Sequence, residues 1–140
     1  MDLIHLIYSS SATNPMHDHD LAEMLAIARE NNHRSQITGM LLYHNASFLQ
    51  VLEGKRTVVE TLFKKIAHDP RHHDVTLLRK RVLSNREFEK WEMGFVNIDT
   101  IDTSKLSGYT TFLKQPLNSP HFQDSGYAYT LLNTLKENIR

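Results

Sequence analysis

Gln50 stands between Phe48 and Leu52 on one face of an alternating stretch, because strand side chains change sides at every residue. An amide there needs partners for two donors and an acceptor, and each group left unpaired costs about 1–3 kcal/mol. Taken alone, a core Gln bonded to backbone or to a nearby hydroxyl accounts for it. Tyr8 shares a face with Ile4 and Leu6, so its phenol enters the core with a polar tip that wants a partner. Asn31 and Asn32 close the first helical pattern, where Asn is a common cap, although capping explains one Asn better than two. Trp91 and Met93 are two apart on the last expected strand and face one way, which packing explains without further chemistry.

Other chemistries find no support. His17 and His19 form an H-x-H pair, and His68, His72 and His73 cluster around Pro70. The proline separates His68 from His72, so chelation from one helical face fails, and no carboxylate completes a metal triad. There is no G-x-S-x-G, Walker loop or G-x-G-x-x-G.

The elements that must position these residues follow from hydrophobic periodicity. Leu3–Ser9 reads as a strand and Asp20 with Glu23 as a capping box. Leu21, Met24, Leu25 and Ala28 then stripe a helix running to about Asn31–Asn32. Ile37–Tyr43 and Phe48–Glu53 form a hairpin turned by His44-Asn45-Ala46-Ser47. Thr57 and Glu60 suggest a second capping box, and Val59, Leu62, Phe63 and Ile66 a helix that stops before Pro70. Val75–Leu83 is the fourth strand, Ser84 and Glu87 cap a short turn, and Met93–Ile98 is the fifth strand. The order β-α-β-β-α-β-β is an α+β, ferredoxin-like sandwich with one extra strand, and right-handed crossovers place both helices on one face. Two further helical patterns, around Leu106–Leu113 and Leu131–Ile139, suggest a C-terminal appendage. The expected division is a domain over 1–99 and an extension over 100–140.

Composition narrows the function classes. The chain has 140 residues, with 16 Lys+Arg against 16 Asp+Glu. Neither region hides a basic half: residues 1–99 hold 12 basic and 13 acidic side chains, and 100–140 hold 4 and 3. That balance argues against gripping phosphate backbones or anionic membranes. The absence of Cys removes disulfides, thiolate catalysis and iron–sulfur clusters. With no basic n-region followed by a long apolar run, the expected location is cytoplasmic.

Taken together, the segments resemble the BLUF family, flavin-using blue-light sensors. The resemblance covers about residues 2–99 and rests on Leu6-Ile7-Tyr8-Ser9-Ser10, Asn31-Asn32, Ile37-Thr38-Gly39-Met40-Leu41-Leu42-Tyr43, Phe48-Leu49-Gln50-Val51-Leu52-Glu53-Gly54, Asp69-Pro70-Arg71-His72 and Trp91-Glu92-Met93, in that order. It implies FAD, with FMN or riboflavin as possible substitutes, held noncovalently between the two helices. Tyr8 and Gln50 would lie beside the ring, Asn32 would bond its carbonyl edge, and Asn31 would hold it from the same helix end. Lys65, Ile66, Arg71 and His72 would line the second-helix side. Ala28 stands where many members carry serine, and Lys65 where many carry arginine.

The resemblance further implies a photoactive set of Tyr8, Gln50, Trp91 and Met93. Light would draw an electron and a proton from Tyr8, leave Gln50 rotated or tautomerised, and pass the change through the last strand to the C-terminal helices. Without Cys, the signal cannot be stored in a sulfur–flavin bond. The expected member is short and stand-alone, is no enzyme, and signals through a second copy or a protein partner, without direct contact to nucleic acid or membrane. The alternatives are a light-independent small enzyme or an interaction module on the same scaffold.

Overall fold

The computed structural model describes residues 2–89 and 93–97, together with Tyr129, Thr130 and Leu132. Its elements run β1 (Leu3–Ala12), α1 (Asp18–Ser35), β2 (Thr38–His44), β3 (Ser47–Lys55), α2 (Arg56–Ala67), β4 (His72–Leu83) and β5 (Gly94–Asn97). They form a five-stranded mixed sheet in the order β4-β1-β3-β2-β5. β1 pairs antiparallel with both β3 and β4, whereas β5 joins β2 in parallel. This is the ferredoxin-like arrangement with an added edge strand. Of the appendage, Tyr129, Thr130 and Leu132 are helical, and the expected helix over 106–113 lies outside the described residues.

Several boundaries differ from the sequence reading. α1 starts two residues before Asp20, which sits at the third helical position and accepts from the His17 amide at 3.2 Å. The capping partner is therefore His17 upstream rather than Glu23 downstream. The helix also outruns Asn31–Asn32: the left-handed residue that ends it is Gln36, φ 57°, and its amide bonds the Asn32 and His33 carbonyls. Continuing backbone hydrogen bonds outweigh the capping preference of Asn. α2 begins at Arg56, so Thr57 lies inside the helix, where its carbonyl accepts from Thr61. Glu60 pairs with Lys80 on β4 instead of capping. Glu87 likewise makes its bonds across the fold, to His5 and Tyr129.

Alternation along the strands gives the sheet two buried faces. Ile4, Leu6 and Tyr8 from β1, Leu41 and Tyr43 from β2, and Phe48 and Leu52 from β3 pack with Leu21 and Leu25 of α1 and Val59 of α2. Both helices thus cover one face. On the other, Ile7, Met40, Leu42, Leu49 and Val51 are equally enclosed. The β2–β3 hairpin turns on Asn45 and Ala46, both with positive φ, as a two-residue turn of the type that matches strand twist requires. Gly39 lets the hairpin strands approach closely, since a Cβ there would lie 1.9 Å from the Val51 carbonyl oxygen.

Candidate functional site

The two central strands place the first pair. Tyr8 on β1 lies directly opposite Gln50 on β3, and both point to the helix face. The Tyr8 hydroxyl donates to Gln50 Oε1, and Gln50 Nε2 in turn donates to the Met93 sulfur at 3.2 Å. The amide is thereby oriented at both ends: its oxygen faces the phenol and its nitrogen faces the thioether. Burial, reinforced by the Asp69 carboxylate, pushes the Tyr8 phenol well above its ordinary pKa. At neutral pH it is an un-ionised donor, which fixes the sense of the hydrogen bond. Phe63 of α2 tilts against the Tyr8 ring, with centroids 5.5 Å apart.

Above this pair lies a cavity of about 250 Å³ between the two helices and the sheet. Tyr8, Gln50 and Leu41 contribute from the strands, and Ala28, Asn31 and Asn32 from α1. Lys65 and Ile66 of α2 line the opposite side, and Asp69, Arg71 and His72 close the end beyond it. Asn32 falls on the stripe that buries Leu21 and Leu25, so the helix carries an amide to a position where apolar side chains would otherwise go. Its carbonyl accepts from the Ile37 amide at 2.9 Å, which holds the helix end against the start of β2. The side chains of Asn31 and Asn32 have no protein hydrogen-bond partner among the described residues. Asn32 is only 4% exposed, yet its amide atoms are not among the buried unpartnered ones, so they keep access to the cavity they line.

The charged end of the cavity is internally balanced. Arg71 is held by Asp69, with Nε 3.1 Å from Oδ1 and an Nη2–Oδ2 contact of 2.5 Å. This pairing keeps Asp69 below the usual carboxylate range and raises Arg71 further. His72 shares a hydrogen bond of 3.0 Å with Ser10 Oγ and tilts against Phe48, while burial lowers its pKa. Met24, Ile27 and Arg71 are shared with a neighbouring groove that also includes Asp20 and Glu23.

The residues fit a planar, largely apolar ligand with one polar edge. The walls are Ala28, Leu41, Leu62 and Ile66, and the unpartnered amides of Asn31 and Asn32 offer donors and acceptors. That combination is what cofactor pockets of small volume use to fix orientation.

Of the residues expected from sequence, Tyr8, Gln50, Asn31, Asn32, Lys65, Ile66, Arg71 and His72 all line this cavity. Met93 reaches Gln50 from its position just before β5. Trp91 lies outside the described residues. Among charged contributors, two escaped the sequence reading: Asp69, quoted only within a motif, and Arg29, whose Nε bonds the Met93 carbonyl at 3.1 Å. A carboxylate two residues before an arginine was a usable signal for the first, and no spacing rule pointed to the second.

Comparison with known proteins bears on this geometry. Residues 3–94 match the family model described as sensors of blue light using FAD. The photoactivated adenylate cyclase subunit beta of Euglena gracilis is 39% identical over 92 residues, which is 65% of this chain and 11% of that protein. The blue light- and temperature-regulated antirepressor BluF of Escherichia coli (strain K12) is 34% identical over 88 residues, covering 63% of this chain and 22% of that one. The chain therefore spans only a minor part of these relatives. Two solved structures match it nearly end to end. The ground state of BlsA superposes with TM-score 0.79 at 30% identity, covering 95% of this chain and 87% of that one. The dark-state structure of BlrB, a BLUF protein, does so with TM-score 0.75 at 27% identity, covering 96% and 98%.

Proposed function

The chain belongs to the BLUF family of blue-light sensors using FAD, and from that premise we propose that Tyr8 and Gln50 are its photochemical switch. The observation that carries the reading is the relay from the Tyr8 hydroxyl through the Gln50 amide to the Met93 sulfur, lying on the floor of a cavity with unpartnered amides. Asn31 and Asn32 would hold the polar edge of a flavin, with Ile66 and His72 against its other side. Lys65 and Arg71 would balance the phosphates of FAD, although Arg71 already carries the Asp69 charge, so FMN or riboflavin would lose little there.

When bound, flavin supplies an electron acceptor under blue light. Tyr8 would give up an electron and, as a much stronger acid once oxidised, pass its proton along the existing bond to Gln50 Oε1. Tyr8 recovers both in the end, so no net oxidation remains. What persists is the state of the Gln50 amide, rotated or tautomerised, which exchanges donor and acceptor between Tyr8 and Met93. An amide with two unlike ends is a bistable element of the kind a light switch needs. Met93, and with it Trp91, would carry the change into the last strand.

The output is a change in contacts made by the extension over 100–140, read by a second copy or a protein partner, with no enzymatic activity in this chain itself. The purified chain should be yellow, and its spectrum should shift reversibly to the red under blue light. A colourless preparation that cannot be reconstituted with FAD would overturn the reading. Size-exclusion chromatography in darkness and under illumination tests the output, which predicts a different elution volume alone or with a partner.

A further inference from the structure

We propose that Glu53 is a positioning residue for this switch: from the outer face of the sheet it fixes the segment that delivers Met93 to Gln50. The inference rests on the sensor reading above. Glu53 is three residues beyond Gln50 on β3 but on the opposite face, and it is completely buried. Its carboxylate accepts three hydrogen bonds. Oε1 takes the Thr38 hydroxyl at 3.0 Å and the Phe88 amide at 2.8 Å, and Oε2 takes the Glu87 amide at 2.7 Å. Two of these donors are successive backbone amides of the segment between β4 and β5. Arg86, at its start, donates to Thr38 Oγ1 at 2.8 Å, to the Glu53 carbonyl at 3.1 Å and to the Gln36 carbonyl at 2.7 Å. The buried Glu53 carboxylate therefore joins the strand of Gln50, the start of β2 and the Glu87–Phe88 backbone, and Arg86 adds the residue that ends α1.

The weakness of the contact at the other end makes this anchor matter. A thioether is a poor acceptor, so the Met93 sulfur cannot hold itself against Gln50 Nε2 by that bond alone. Position must be imposed by the flanking backbone. Phe88 is pinned by Glu53 on one side, and Gly94 is pinned opposite Met40 in the β2–β5 ladder on the other. Arg29 holds the Met93 carbonyl between them. Glu53→Gln has the same shape but cannot satisfy this geometry. An amide must turn its NH2 toward either the Glu87 amide or the two donors at Oε1, so at least one bond becomes a donor–donor contact.

The test is a cycle of Glu53→Gln, Met93→Ala and the double variant in the full chain with flavin bound. Each is read by the rate at which the red shift decays in darkness. Freed from its anchor, Met93 no longer favours the dark orientation of Gln50, so Glu53→Gln should slow recovery by about fivefold or more. The double variant should recover like Met93→Ala alone, because Glu53 acts through that side chain. If the two effects multiply independently, or if Glu53→Gln lowers the melting temperature while recovery stays within about twofold of the parent, the proposal is wrong. Should Glu53→Gln fail to fold, Thr38→Val removes one bond to the carboxylate and the Arg86 link at nearly constant volume. It should slow recovery in the same sense, and parental recovery in that variant would overturn the proposal. A parent chain with no light-induced shift would remove the sensor reading itself, an outcome distinct from additivity in a working photocycle.

Discussion

Tyr8 and His5 lie three residues apart on β1, each 1% exposed, yet they face opposite layers with opposite character. Toward the helices, polar groups keep unused capacity. Gln50 has a phenol at one end and only a sulfur at the other, and Asn31 and Asn32 look into a cavity. Toward the outer face, polar groups are more tightly held, although His5 Nδ1 has only an ion-pair contact with Glu87 at 3.3 Å. Glu53 has three donors, and Arg79 bonds His5 Nε2 at 3.1 Å while its guanidinium lies 4.5 Å from the centre of the Tyr129 ring. The Tyr129 hydroxyl in turn bonds Glu87. The lesson is that burial alone does not separate a switch from a fastener. Spare hydrogen-bonding capacity permits a second arrangement at similar energy, and full satisfaction forbids one.

The sharpest way to break this contrast is to remove the movable polarity. Tyr8→Phe and Gln50→Leu should each retain flavin but lose the light-induced red shift completely, as followed by absorption under blue illumination. A normal photocycle in Tyr8→Phe would show that the proton does not come from the phenol. On the clamped face, Leu42→Ala should cost about 2–5 kcal/mol in denaturant unfolding, because the side chain is fully enclosed. The red shift should survive that change, and its loss would mean that the two faces are not separable.

A smaller effect distinguishes the faces by pH. Burial lowers the pKa of His5 on the outer face and of His72 beside the cavity, both from an ordinary value of 6.5. The unfolded chain then binds more protons than the folded one as pH falls through that value, so each histidine makes the protein less stable in acid. Thermal melts from about pH 7 to pH 5.5 should show this loss, and His5→Gln and His72→Gln should each reduce it. Glu87 beside His5 favours its protonation whereas Arg79 and Arg81 oppose it, so the two variants need not contribute equally. An unchanged acid response in both would refute the assignment. Outside both faces, the exposed pair Glu30–Arg34 is expected to matter least. Glu30→Ala should cost no more than about 0.5 kcal/mol, measured by the same unfolding experiment.

How much of this was legible beforehand depended on the range of the interaction. Strand alternation placed Tyr8 with Ile4 and Leu6, and Gln50 with Phe48 and Leu52, before any register was known, because that period is local to the backbone. The stripes through Leu21, Leu25 and Val59 announced both helices for the same reason. Capping was read less well. Asp20 and Glu60 both had the right type at a plausible spacing, but Asp20 serves His17 and Glu60 serves Lys80. Carboxylates accept from whatever donor the fold brings near, and sequence spacing does not exclude distant ones.

The same limit divides the site. The identities of Tyr8, Gln50, Asn31 and Asn32, and the absence of any thiol, were properties of the sequence, and the proposed hydrogen-bond signal starts from them. That Tyr8 meets Gln50 side by side, that Arg71 is already paired with Asp69, and that Glu53 anchors the Glu87–Phe88 backbone were decided only by tertiary structure. The physical reason is that hydrophobic periodicity is written along the chain, whereas a buried polar group is satisfied by partners from other strands. Gln50 and Tyr8 are 42 residues apart in sequence, and only the register of β1 against β3 makes them neighbours.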